Sequence, residues 1–269
     1  VKGLRPTRRT QVIDLHDNIR SNRIRRALKK KSYTINKLSI EKFILTNFNI
    51  NLMPGRHITL RSLDAVAALG VVDDGLGLDY FIPPDQQVTE KDIPTSHLAG
   101  FVAVVIGANH FTKKLPVHKL QELCYKIEHP IILLGGKEDH AAGAQIASVD
   151  PVKIYNACGK FSLHESADLV RRSKLVVSHD TGMQYIACAF QKPVLAIWGG
   201  TSPKLDVEPY YGSAYTQTGT PIYENILLNL RCQPCSRFGS KACPLEHFNC
   251  MEKQDIDALV SKVHGSLRK

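Results

Sequence analysis

Asp180, Thr181 and Gly182 stand between the apolar run LVV and the helix-like stretch GMQYIACAF, with a second apolar run, VLAIW, close behind. In parallel sheets ligands gather where strands end and helices begin. A turn at such a place leaves the backbone N–H groups of about Thr181 to Met183 facing an incoming group, at the positive end of the helix dipole, and both features suit a pyrophosphate. Gly182 lets the backbone come close to a ligand, and Asp180 can cap the helix or meet a sugar hydroxyl. A plain helix cap also explains an isolated Asp-Thr-Gly.

Two further strand ends supply complementary chemistry. After VAVVIGA comes NHFTKKLP, which sets Lys113 and Lys114 just before a helix starting near Pro116, where a cation can neutralise a phosphate. After PIILLGG comes KED, which offers Glu138 and Asp139 as carboxylates for ribose hydroxyls. One cation, one carboxylate and one helix N-terminus together describe a pocket for a nucleotide diphosphate. The chain contains no G-x-G-x-x-G and no G-x-x-x-x-G-K-[ST], which argues against hydride transfer and against a P-loop ATPase. The contiguous Ser178, His179 and Asp180 do not form a catalytic relay, because neighbours on a strand point to opposite faces. Asp14 and His16 share a face, and a structural role fits this lone pair better than a metal.

The elements that would carry these residues alternate from about residue 101. FVAVVIGA, PIILLGG, VKIYNAC, KLVVSHD and PVLAIWGG read as strands, and LPVHKLQELCYKI, EDHAAGAQIA, SLHESADLVRRS and GMQYIACAF as the helices between them. Their apolar runs are continuous, as strands buried on both faces require. The pattern predicts an α/β fold, a Rossmann-like doubly wound parallel sheet. Ser162 followed by Glu165 is a capping-box spacing that predicts a helix over about 163–172. Before residue 100, TQVIDLHDNIRS reads as one strand entering a basic helix, and ITLRSLDAVAALGV as a further helix. The Pro-rich IPPDQQVTEKDIPTS reads as a linker, which divides the chain into an incomplete N-terminal α/β domain over 1–97 and a nucleotide-binding domain over 98–269. DIDALVSKVHGSLRK reads as an amphipathic helix that could pack back across the domain boundary.

With 269 residues and 43% hydrophobic content, the chain can bury a substantial core. No apolar run reaches the roughly 20 residues of a membrane span, and VKGLRPTRRT lacks the apolar centre of a signal peptide, so a cytoplasmic protein is expected. The net charge of +10 is uneven: residues 1–61 hold 15 Lys and Arg against 3 Asp and Glu, the remainder 20 against 22. A basic N-terminal third suits a phosphorylated acceptor or an anionic membrane face, or is a solvated helix around RSNRIRRALKKK. Nucleic acid is not the expected partner, because no aromatic residues interleave with those cations.

Among the seven cysteines, Cys124, Cys158 and Cys188 lie in apolar surroundings and read as buried hydrophobes. Cys232, Cys235, Cys243 and Cys250 form a C-x2-C-x7-C-x6-C cluster within 231–250, near His247. Four thiolates could hold a structural zinc, though the second half lacks a close pair; a disulfide and a metal-free thiol-rich loop are the alternatives.

The segment LHESADLVRRSKLVVSHDTGMQYIACAFQKPVLAIWGGTSP resembles the signature region of glycosyltransferase family 9, the lipopolysaccharide heptosyltransferases. Lys113 in FTKKLP, the GGKED turn, the Asp180–Gly182 loop and CQPC match further motifs of that family in order, and the resemblance runs from about TQVIDLH to the C-terminus. It implies a GT-B fold with two facing Rossmann-like domains. It also implies an inverting transfer, with no metal or other cofactor required, of a heptose from an ADP-sugar donor to a phosphorylated glycolipid acceptor, the lipid A inner core. The location implied is peripheral, at the inner face of the inner membrane. The donor site would use Lys113, Glu138, Asp139, Asp180, Thr181, Gly182, Met183 and Tyr185. Two departures matter. The family's opening strand and its Gly-Asp loop, which carries the catalytic base, do not precede TQVIDLH, so the base is expected upstream of Val1. The family's His shortly after Asp-Thr-Gly is replaced by Tyr185. A catalytically silent relative that keeps the nucleotide-sugar pocket is the alternative.

Overall fold

A computed structural model of the chain describes residues 11–216 and 222–268. The N-terminal part opens with β1 (Gln11–Asp14), α1 (Ile19–Leu28), β2 (Lys31–Thr34), α2 (Ser39–Phe48) and α3 (Ile58–Asp64). The expectation of a lone strand there is overturned: β1 and β2 pair in parallel, Gln11 opposite Lys31 and Asp14 opposite Thr34, with α1 as their crossover. KSYT gives little hydrophobic signal because neither face of β2 is fully buried. The basic residues Lys2, Arg5, Arg8 and Arg9 lie outside the described residues, whereas Arg20, Arg23 and Arg26 stand exposed on α1, a helix without a buried residue. α3 ends at Asp64, where a 3₁₀ turn at Ala67–Leu69 replaces the longer helix expected over ITLRSLDAVAALGV.

The C-terminal part contains β3 (Val102–Val105), α4 (Val117–Lys126), β4 (Ile131–Leu134), α5 (His140–Ala147), β5 (Ile154–Asn156), α6 (Leu163–Arg172), β6 (Leu175–His179), α7 (Gly182–Ala189), β7 (Val194–Ile197), α8 (Ser213–Thr216), β8 (Tyr223–Ile226), α9 (Asn249–Glu252) and α10 (Ile256–Leu267). Six strands form one parallel sheet in the order β5-β4-β3-β6-β7-β8, which runs outward in both directions from the β3/β6 pair. β8 was not anticipated, because YENI pairs on one side only and mixes polar with apolar residues.

The continuous apolar strands serve two cores. Val102, Val104, Ile131, Leu133, Leu175 and Val177 face Leu120 and Leu123 of α4, Ile146 of α5, and Leu259 and Val263 of α10. Ala103, Val105, Ile132, Leu134 and Val176 face Leu169 and Val170 of α6 and Ala187 of α7. The residues alternate between the two cores along each strand, as the period of two demands. α6 spans the expected residues, with Glu165 N–H donating to Ser162 Oγ at 3.3 Å and Ser162 N–H to Glu165 Oε2 at 2.7 Å. α10 packs on α4, where Lys126 pairs with Asp257 at 2.7 Å, rather than crossing toward the N-terminal elements.

The Pro-rich stretch before residue 98 is not a free linker. Val88 and Ile93 insert into the core beside α6, and the Val88 N–H donates to Asp168 Oδ2 at 3.1 Å. Asp168 is itself buried and paired with Arg171 at 2.6 Å. Two apolar residues among polar ones leave a weak periodic signal, yet they suffice to fasten the segment. No helix among the described residues is long and apolar enough to cross a membrane.

Candidate functional site

The reversal of strand order at β3/β6 opens a crevice at the carboxyl ends of the strands, the place where open α/β sheets receive ligands. A cavity of about 710 Å³ occupies it. Its walls come from the loops after β3 (Gly107, Ala108, Asn109, Lys113), β4 (Gly135, Gly136, Glu138, Asp139) and β6 (Asp180, Thr181, Gly182, Met183), with Phe161, Leu163 and Ser166 from the start of α6. The loops merge because β3 stands between β4 and β6.

The loop after β3 sends two adjacent lysines in opposite directions. Lys113 Nζ lies 2.7 Å from Asp180 Oδ2 and donates to the Asp180 carbonyl at 3.0 Å. Lys114 Nζ lies 2.7 Å from Asp139 Oδ1. One lysine thus ties β3 to the end of β6, the other to the end of β4. An ammonium carries three donors, so Lys113 keeps one for an incoming anion. The Lys113–Asp180 pair is well sheltered, with side chains 15% and 13% exposed, so little solvent screens it.

Asp139 borders the cavity but is already engaged by neighbouring groups. It is buried, accepts from the Gly136 N–H at 3.0 Å and pairs with Lys114. Gly107 exists for this packing: a Cβ there would stand 2.4 Å from Asp139 Oδ2. Glu138, exposed on the cavity wall, is the carboxylate left free to meet hydroxyls.

At the start of α7 the N-cap is Thr181, whose side chain makes no capping hydrogen bond; its hydroxyl stands 3.3 Å from Ser178 Oγ instead. Asp180 turns to Lys113 rather than capping the helix. The first N–H groups of a helix have no acceptor within it, so those of Thr181, Gly182 and Met183 remain for a ligand. A Cβ added to Gly182 would meet nothing within 4 Å, so the backbone there is open to close approach.

Tyr185 is not brought to the cavity. It lies on the other side of α7, donates its hydroxyl to the Val207 carbonyl at 2.7 Å and packs edge-on against His57. Burial raises its phenol pKa, so this hydroxyl stays protonated and committed. The family resemblance implies a donor contact at this position, but Met183 and Ile186 face the cavity, and at about 100° per residue Tyr185 stands roughly 200° round α7 from Met183.

His179 is the residue that motif reading missed. It is buried and accepts the Leu115 N–H on Nε2 at 2.9 Å. Burial, then the charge of Lys114, pushes the imidazole down to about 4, so it is neutral and can accept. Phe161, Leu163 and Ser166 were missed as well; the capping box at Ser162 locates a helix start but not the strand ends it faces.

Asp14 accepts the N–H groups of His16 and Asp17 at 3.0 and 2.8 Å, which bears out its structural reading. Cys124, Cys158 and Cys188 are buried. Cys232, Cys235, Cys243 and Cys250 are free thiols that border one small cavity with His247. Among the described residues no three His, Cys, Asp or Glu side chains are arranged to hold a metal ion. The segment's visible role is mechanical: Ser240 N–H donates to Thr112 Oγ1 at 2.8 Å, and Thr112 N–H to the Ser240 carbonyl at 3.1 Å, directly beside Lys113.

A Rossmann-like parallel sheet with a cation, a carboxylate and an uncapped helix N-terminus at its switch point is an α/β arrangement of the GT-B fold class. The sequence profile of glycosyltransferase family 9 (heptosyltransferase) matches residues 1–248, and the chain belongs to that family. Among curated relatives, lipooligosaccharide heptosyltransferase 2 of Haemophilus influenzae is 32% identical over 90 residues, 32% of this chain and 26% of the relative. The alignment therefore spans about a quarter of that relative's length. Among solved structures, E. coli ADP-heptose lps heptosyltransferase II superposes with a TM-score of 0.62 at 16% identity, covering 97% of this chain and 77% of the other. E. coli heptosyltransferase WaaC with ADP gives 0.60 at 17% identity, covering 96% and 73%.

Proposed function

We propose that the chain is the donor-binding part of a heptosyltransferase, with residues 98–269 holding an ADP-sugar and residues 1–97 belonging to the acceptor side. The observation that carries this reading is the convergence of Lys113, Glu138 and the open start of α7 on one cavity. Leu134, Leu163 and Ile186 give that cavity an apolar wall for a base. Glu138 stands ready for hydroxyls. The diphosphate belongs at Lys113 and the N–H groups of Thr181 and Gly182.

In an inverting transfer the sugar C1–O bond to the diphosphate breaks while an acceptor oxygen bonds C1 from the opposite face, and the acceptor's proton passes to a base. Negative charge grows on the departing diphosphate, so donors fixed around it in a sheltered site lower the barrier. Lys113 and the start of α7 are such donors, and they are already held in place. No metal is required in this scheme. The exposed arginines of α1 suit a phosphorylated glycolipid acceptor and the anionic inner face of a membrane.

Calorimetric titration of the chain with ADP, with UDP for comparison, tests the reading. Preferential ADP binding supports it. Silence toward both nucleotides refutes a formed donor pocket.

A further inference from the structure

We propose that His179 is a positioning residue for the phosphate-facing lysine: its imidazole holds the loop after β3 so that Lys113 stands over the start of α7. The inference rests on the donor-site reading for its functional consequence, and on geometry for the rest.

Besides the two lysine ion pairs, the loop from Thr112 to Leu115 is held through its main chain at both ends. At its start, Thr112 is tied to Ser240 and its carbonyl accepts the Gly200 N–H at 2.8 Å. At its end, the Leu115 N–H donates to His179 Nε2 at 2.9 Å. Lys113 lies between these points, and its ammonium meets Asp180, the residue that follows His179. The side chain of His179 and the main chain and carboxylate of Asp180 therefore grip the same loop two residues apart.

The arrangement is not generic packing. A phenyl or aliphatic side chain would fill the same buried position without its unbonded Nδ1, which lies buried with no hydrogen-bond partner. An orphaned buried polar atom costs stability, so the imidazole is a poor choice for packing alone. What it contributes is an acceptor for one N–H in a loop that no strand pairing satisfies. Without it, that N–H is either left unpaired or freed toward water, and the loop that carries Lys113 loses the main-chain anchor at its end.

The test uses the full chain with His179→Phe and His179→Gln, since a glutamine carries an amide oxygen at about the reach of Nε2. Three quantities are read: hydrogen exchange at the Leu115 amide, acylation of the Lys113 amine relative to Lys153, and affinity for ADP and for adenosine. Lys153 is the internal reference because it is tied to the Tyr125 carbonyl, away from the cavity. In His179→Phe, Leu115 exchange accelerates, the Lys113/Lys153 labelling ratio rises, and ADP affinity falls on the order of tenfold, the effect of losing one hydrogen bond, while adenosine affinity holds. His179→Gln restores all three.

Unchanged exchange and labelling in His179→Phe overturn the proposal whatever ADP does. If His179→Phe fails to fold, His179→Gln with wild-type exchange, labelling and ADP affinity still supports it, and a Gln variant that folds yet has lost ADP affinity refutes it. If the wild type ignores ADP while exchange and labelling respond as expected, the positioning role stands and the donor-site reading falls.

Discussion

Gly182→Ala separates ligand approach from fold stability. Gly182 is the first residue of α7, and an added Cβ meets no atom within 4 Å. The methyl creates no clash, and Ala is the better helix former, so unfolding free energy should hold or rise by about 0.4–1 kcal/mol. For a chain of this size that is roughly 1–4 °C in Tm. The same methyl projects beside the N–H groups where a phosphate oxygen would sit within hydrogen-bond distance. Displacing that oxygen removes a charge-assisted hydrogen bond, worth about 1.5–3 kcal/mol, so ADP affinity should fall roughly 10- to 100-fold. Adenosine, which has no phosphate to displace, should bind as before. Calorimetry with both ligands and a thermal melt on one preparation suffice. Unchanged ADP affinity in a stable Gly182→Ala variant would refute a diphosphate at the start of α7.

Lys113→Ala should weaken ADP far more than adenosine if, as proposed, its charge meets phosphate while Glu138 meets the ribose; equal losses in calorimetry would sink that role. Burial, opposed by the hydrogen bond to the Glu208 carbonyl, pushes His57 down to about 4, below its ordinary 6.5, so between pH 6.5 and 4 the unfolded chain binds a proton that the folded chain refuses. Stability must then fall as pH falls through that window, by about 2 kcal/mol between pH 7 and 5 for this residue, and urea titrations of His57→Gln should show that part of the slope gone. Burial also pushes the thiols of Cys124, Cys158, Cys188 and Cys250 up to about 12. A thiol-disulfide colorimetric reagent at pH 8 should therefore reach Cys232, Cys235 and Cys243 in the folded chain, and all seven cysteines only in guanidinium.

Much of this site can be read from composition and periodicity, and the part that cannot has a physical boundary. Continuous apolar runs mark strands buried on both faces, so β3, β4, β6 and β7 were legible, and so were the polar residues at their carboxyl ends. β2 and β8 escaped because each pairs on a single side and buries little. Val88 and Ile93 escaped because two anchors in a polar stretch have no period. Tyr185, assigned to the donor site only by the family resemblance, faces away because it stands about 200° round α7 from the cavity-lining Met183.

The pairing of the two lysines needs one fact more, the order of the strands. Lys113 and Lys114 are neighbours with the same charge, and nothing in FTKKLP assigns them different partners. Once β3 lies between β4 and β6, the two lysine side chains of its following loop reach opposite flanks. Lys114 goes to Asp139 on the β4 side, which is largely buried at the cavity wall, and Lys113 to Asp180 on the β6 side, at the open end of α7. The first pair holds two loops together; only the second borders the free helix N–H groups. Sheet topology therefore decides which of the two lysines stands beside the start of α7.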